Sequence, residues 1–235
     1  MYKKLREQLF VFASLMLFSI VVLSTNNACA DFSSAMNAYN RGNYNIALNE
    51  FVVLAENGDV VAMNNIGIML ENGQGVRRDY TKAVKWYYKS ANKGYVLAQA
   101  NLGVMYEKGH GVKQSYLEAF KWYQKAAEQG NARAQYNLGV FYSKGLGTKI
   151  NDAKAVYWYE KAAEQDHAKA QYNLGVKYTK GKGVAENHMA AYFWYSLAAK
   201  NGIKMAILNK KISYMILSDE EKDKVNALLK KIQQK

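Results

Sequence analysis

With 235 residues, half of them hydrophobic and 22% charged, the chain can build one elongated repeat domain or one ordinary globular domain, and its composition excludes disorder. Its formal charge of +13 points to nucleic acid, an anionic membrane surface or an acidic protein as partner. Proline is absent, which suits helices joined by glycine turns.

Residues 1–30 read as a secretory signal. Lys3, Lys4 and Arg6 form a positive start, Leu9 to Leu23 is a fifteen-residue run without charge, and Ala28-Cys29-Ala30 supplies small residues before a cut ahead of Asp31. The apolar run falls short of the roughly 20 residues that span a bilayer. An uncleaved anchor and a lipid-bearing Cys29 are the alternatives, although Asn26-Asn27-Ala28 lacks the aliphatic residue of a bacterial lipobox. Cleavage after Ala30 removes three positive charges and Glu7, a net +2, and takes the chain from +13 to +11 with no cysteine. The expected product is exported, periplasmic or secreted, and has no disulfide, cysteine nucleophile or thiolate metal site.

Residues 31–59 form a diverged opening hairpin. Ala35, Ala38 and Tyr39 precede Gly42, and Tyr44, Ala47, Leu48, Phe51, Leu54 and Ala55 recur at helical spacing up to Gly58. From here the chain is organised by a step of 36 residues: Ala62, Ala98, Ala134, Ala170 and Ala206 keep it, as do Asn65, Asn101, Asn137, Asn173 and Asn209. Gly67, Gly103, Gly139 and Gly175 follow, then paired turn glycines from Gly73/Gly75 to Gly181/Gly183, then Trp86, Trp122, Trp158 and Trp194. A fixed period of this length predicts an all-α fold, an α-solenoid of antiparallel helix pairs in which each unit buries its apolar face against its neighbours. Four units are expected over 60–95, 96–131, 132–167 and 168–203.

Each unit specifies its own helix ends. Asp79, Ser115, Asn151 and Asn187 open the second helices with side chains that accept from first-turn amides, and Gly-x-Gly ends the first helices. Gly103 sits mid-helix, at a cost of about 1 kcal/mol relative to alanine. With Ala98 it is expected to admit the partner helix and seat a bulky ring such as Trp122. Residues 204–235 cap the array: Lys211 replaces the mid-helix glycine, so this helix is expected to lack the usual close partner. Ser218 and Glu221 make a capping box, and a last helix with Val225, Leu228, Leu229 and Ile232 as its inner face closes the stack.

These residues resemble the Sel-one-like repeat (SLR) family, relatives of the tetratricopeptide repeats. Ala132-Arg133-Ala134-Gln135-Tyr136-Asn137-Leu138-Gly139 and Trp158-Tyr159-Glu160-Lys161-Ala162-Ala163 match the family pattern nearly word for word, and the match covers 60–203. The resemblance implies a right-handed superhelix and a scaffold role in protein assembly. Exported bacterial members include proteins linked to host-cell interaction and envelope processes. Cysteine-rich secreted relatives are described as penicillin-binding or β-lactamase-like, so a β-lactam- or cell-wall-directed protein is the alternative. This sequence lacks their cysteines.

No convergent set of catalytic groups is present. His110, His167 and His188 occupy different places in different units and read as isolated surface residues, and the sequence has no His-Glu-x-x-His or Gly-x-Ser-x-Gly. No catalytic residue, cofactor or metal site is expected. The repeated asparagines are expected to tie a helix to a neighbouring turn. The aromatics belong to the repeat core, and an exported chain rarely meets nucleic acid, so nucleic acid is set aside as a partner; membrane contact is expected only through an uncleaved signal or lipid anchor.

The candidate site is the face of the first helices turned away from their second helices, which in unit two comprises Leu97, Ala100, Val104, Glu107 and Lys108. By similarity to tetratricopeptide repeats this face lines a concave groove. Stacking then places Arg133, Tyr136, Ser143 and Lys144 beside Lys169, Tyr172, Thr179 and Lys180, with Asn64 and Asn72 upstream. The partner-binding set is Lys108, Arg133, Tyr136, Lys144, Lys169, Tyr172 and Lys180. Tyrosines flanked by cations favour a protein or peptide partner carrying carboxylates.

Overall fold

A computed structural model describes residues 31–233; the expected signal segment lies outside them. Twelve helices follow in chain order: α1 (Phe32–Asn40), α2 (Tyr44–Glu56), α3 (Val60–Asn72), α4 (Tyr80–Asn92), α5 (Val96–Lys108), α6 (Tyr116–Glu128), α7 (Ala132–Lys144), α8 (Asp152–Ala163), α9 (Ala168–Lys180), α10 (His188–Lys200), α11 (Lys204–Ile216) and α12 (Asp219–Gln233). From α1 to α11 each helix packs on the helices before and after it in sequence, which makes a solenoid of antiparallel pairs.

The helix ends are built as their residue types require. Asp79, Ser115, Asn151 and Asn187 each accept from the amide three residues on, satisfying a donor that has no partner within the helix. Gly109, with φ 71°, ends α5 in the left-handed conformation, where a side chain is strained. Two residues later, a Cβ on Gly111 would collide with the backbone of Tyr80 in the preceding unit. The second turn glycine is therefore a contact between units as well as a turn residue.

The mid-helix glycines seat a ring, but not the expected one. A Cβ on Gly103 would lie 2.6 Å from the ring of Tyr123, and Gly67, Gly139 and Gly175 meet Tyr87, Tyr159 and Tyr195 in the same way. Trp122 sits one residue too early in α6 to face α5. It is itself buried with residues of the preceding units and lies edge-on to the Tyr88 ring, centroids 6.0 Å apart, and its ring carries the Lys125 ammonium 4.3 Å from its centroid, a cation–π contact. Tyr123 is fully buried, and its hydroxyl donates to Glu107, as that of Tyr87 does to Glu71 at 2.6 Å.

Two amide ladders run along the array. Gln99, Gln135 and Gln171 donate to Ala91, Ala127 and Ala163, carbonyls near the end of the preceding second helix. Their oxygens accept from Gln129, Gln165 and Asn201 at the end of their own. Each buried glutamine thus joins three helices, adding a side-chain donor to a carbonyl that also accepts from a main-chain amide just beyond the helix. The asparagines do not reach a turn as expected. Asn101 donates to Asn64 at 3.0 Å and Asn209 to the Tyr172 hydroxyl at 3.3 Å, in both cases across to the preceding first helix.

The C-terminal end departs from the stack. Ser218 and Glu221 form the reciprocal capping box, but α12 packs on α10 instead of covering α11. Val225 is fully buried near Leu217 and Tyr192, while Leu228, expected on the inner face, is exposed. Lys211 explains the departure: a lysine where Gly103 and its equivalents admit a tyrosine leaves no seat for a second helix.

Candidate partner-binding groove

The first helices α3, α5, α7 and α9 recur at one step of the repeat, so residues 36 apart occupy equivalent places along them. On α7, Tyr136, Val140, Ser143 and Lys144 fall at i, i+4, i+7 and i+8 and share a face; on α9, Asn173, Val176, Lys177 and Lys180 fall at i, i+3, i+4 and i+7 and share one too. Together with Tyr159 and Lys182 they line a cavity of about 400 Å³ between units three and four. Four ammonium groups therefore surround one cleft floored by two tyrosines and two valines.

Lys177 is the unusual member, being only 8% exposed. Its equivalents Met69, Met105 and Phe141 are buried apolar residues. A buried ammonium needs compensation, and Lys177 finds it in the Ser143 hydroxyl at 2.8 Å and in the Asp152 carboxylate. Of its three donors, two have protein partners.

The matching change is the loss of acid. Glu71 and Glu107 sit on the same helix position as Ser143 and Thr179, so the groove carries carboxylates in units one and two and hydroxyls in units three and four. Between consecutive units its electrostatic character turns from mixed to cationic.

Of the sequence-predicted residues, Tyr136, Lys144 and Lys180 meet in this cavity. Tyr172 and Lys180 line the next, about 320 Å³, with Thr179, Tyr195 and Asn209. Arg133 lies upstream, donating to the Asn101 oxygen at 2.6 Å, and so spans units two and three. Lys108 and Lys169 are exposed and line neither cavity. Ala100 and Asn64, expected on the groove face, are buried, because the next unit covers them.

Tyr136 is half-buried and stacks on His167, with ring centroids 4.6 Å apart. Burial raises its phenol above the ordinary tyrosine range, with a smaller push from Glu107. His167 is not an isolated surface residue: it is the N-cap of α9, its Nδ1 accepting from the Ala170 amide at 3.3 Å. Burial, joined by nearby Lys169, lowers its pKa, so at neutral pH it is an uncharged cap and a stacking platform. No group of metal-ligating side chains occurs among the described residues.

Sequence reasoning missed Lys177, Lys182 and Asn173. The repeat column could have revealed the first, since a single charge replaces Met, Met and Phe at one register position.

The family model for the Sel1 repeat matches residues 60–95, 96–131, 132–167 and 168–203. The chain belongs to the Sel1-repeat family. Among solved structures, this Sel1-repeat chain is similar to a Sel1 repeat protein from Oxalobacter formigenes, with 34% identity and a TM-score of 0.74 over 78% of this chain and 76% of that one. It is also similar to c5321, a protective antigen of uropathogenic Escherichia coli displaying an SLR fold, with 38% identity and a TM-score of 0.70 over 77% of this chain. The match spans only 39% of that antigen's length. No curated protein matches. Sel1-repeat proteins are generally non-enzymatic scaffolds for protein–protein interaction, and no helix among the described residues is long and apolar enough to cross a membrane.

Proposed function

We propose that this Sel1-repeat protein is an exported scaffold that binds an extended segment of a protein partner along its first helices, with a carboxylate seated in the cavity between units three and four. The cluster of Lys144, Lys177, Lys180 and Lys182 around one cleft carries this reading. A preorganised stack supplies the groove, so little ordering cost falls on the scaffold. Tyr136 offers a broad, rigid surface of low conformational entropy, and the lysines supply charge complementarity and speed encounter. Host interaction or envelope assembly are the settings that the family suggests; the basic, apolar leader sequence supports export.

Fluorescence anisotropy with labelled extended peptides bearing none to three carboxylates tests the site. Affinity should rise with carboxylate number and fall as salt rises. The triple variant Tyr136→Ala/Lys144→Glu/Lys180→Glu should weaken binding at least tenfold, which corresponds to about 1.4 kcal/mol; equal binding by both proteins would remove the groove assignment. N-terminal sequencing of the protein recovered from its host checks export by the new amino terminus.

Lys177→Met separates function from stability. Methionine is the residue found at the equivalent positions 69 and 105, and replacing a buried charge with a fitting apolar side chain is often neutral or stabilising. Asp152, about a third exposed, can be hydrated once its partner is gone. The melting temperature should hold or rise by a few degrees while peptide affinity drops several-fold; a large loss of stability would mean that Lys177 is there for the fold.

A further inference from the structure

The open end of the array carries a continuous apolar stripe. On α11, Met205, Leu208, Ile212, Met215 and Ile216 are 50 to 73% exposed, and their spacing of i, i+3, i+7, i+10 and i+11 puts them on one face. One unit earlier the same positions hold Lys169, Tyr172, Val176, Thr179 and Lys180. Lysines have given way to Met205 and Ile216, and a threonine to Met215. A terminal unit needs a polar outer face to remain in solution alone, yet this one is more apolar than the units that it terminates. α12, the helix in a position to shield it, lies on α10 instead.

We propose that this face docks a second copy of the chain, α11 against α11, in a two-fold dimer. The stripe fits itself. In an antiparallel pairing centred on residue 210, Leu208 faces the partner's Ile212, and Met205 faces the partner's Met215, so each large side chain meets another from the opposite end of the same helix. The 205, 208, 212, 215 spacing is the alternating three–four pattern of a helix–helix seam, and self-complementarity is what an isologous interface demands.

The area also suffices. From their fractional exposures, the five side chains leave roughly 600 Å² per molecule, about 1,200 Å² for two, which reaches the lower bound of specific interfaces before any rim residue is counted. A patch of this size is large for a solitary soluble protein.

Charge distinguishes this occupant from an acidic partner. Lys204, Lys210 and Lys211 accompany the stripe on α11, so two copies bring like charges together. Screening them should strengthen association, whereas an acidic partner would bind more weakly as salt rises.

Sedimentation equilibrium of the purified protein at low and high salt is the test, beside Leu208→Asp/Ile212→Asp. Both substituted side chains are solvent-facing, so circular dichroism should be unchanged in the variant. The expected result is a wild-type dimer that tightens at least several-fold between 0.05 and 0.5 M salt, roughly the range over which screening lengths fall below 10 Å, and a variant that stays monomeric. A monomeric wild type at high micromolar concentration would overturn the proposal, as would a variant that dimerises equally well. Loss of the dimer on removal of residues 1–30 would also overturn it, by making that segment the occupant. Ile212 also borders the cavity that holds Tyr172, so peptide binding is read at the cavity between units three and four, which neither Leu208 nor Ile212 lines, and failure of either reading leaves the other standing.

Discussion

Gly103→Leu should lower the melting temperature by about 5–10 °C, the equivalent of roughly 2–3 kcal/mol in a domain of this size. Two effects compete. A mid-helix glycine costs about 1 kcal/mol relative to alanine, so on helix propensity alone its replacement should help. Against this, even a single added carbon would lie 2.6 Å from the Tyr123 ring, well inside van der Waals contact. The ring has nowhere to go, being fully buried and held at its far end by the Glu107 carboxylate. Overpacking of a fixed aromatic commonly costs 1–3 kcal/mol and occasionally more, and leucine adds branched bulk beyond the first carbon. Differential scanning calorimetry of wild type, Gly103→Ala and Gly103→Leu should give that order of falling stability, and an unchanged melting curve for the leucine variant would refute the packing role.

Alkaline pH should unfold the array abruptly near pH 11. Tyr87, Tyr123, Tyr159 and Tyr195 all hold their phenol protons more tightly than an ordinary tyrosine, with burial the first cause in each. For Tyr87 and Tyr123, the neighbouring carboxylates Glu71 and Glu107 push in the same direction. A group whose folded pKa is raised contributes its stability in full below the unfolded pKa of about 10 and loses it as pH rises beyond. The unfolded chain then releases protons that the folded chain keeps. At one unit above the unfolded pKa, a group whose folded pKa lies well beyond it costs about 1.4 kcal/mol, so Tyr87, Tyr123 and Tyr159 together remove about 4 kcal/mol at pH 11, approaching the whole stability of many domains, and Tyr195 acts in the same direction. Far-ultraviolet circular dichroism against pH, with phenolate absorbance followed in parallel, measures this. Coincident transitions are expected; phenolate formation by all tyrosines before the helices melt would show that these rings are open to solvent.

The repeating part of the fold was legible because its signals are local and redundant. A helix-opening Asp, Ser or Asn and a closing Gly-x-Gly recur in every unit, and they act through backbone groups a few residues away. The partner of Gly103 was less legible: Trp122 and Tyr123 are adjacent, both aromatic and both in register, and only the rotation of α6 decides which one faces α5. Periodicity likewise marked the asparagines but could not tell a turn from the preceding helix, 37 residues back from Asn101 to Asn64. In the groove, stacking by register brought Tyr136, Lys144 and Lys180 together. It passed over Lys177, because a lysine at a core position reads as a blemish in the pattern until Ser143 and Asp152 are seen beside it. That α11 lacks the usual partner was legible in Lys211 at the glycine position, but that α12 rests on α10 was not, since nothing in its own pattern names its support.

The contact between Gly111 and the backbone of Tyr80 has a consequence for how such a molecule changes over generations. Every join between neighbours is made through the same main-chain approach, at the same distance along the chain, so a duplication or deletion of 36 residues would create a junction chemically like those already present. Any other length would drive a turn into the helix behind it. The number of units, and with it the reach of the groove, is thus free to drift under selection, while the pitch between them is not.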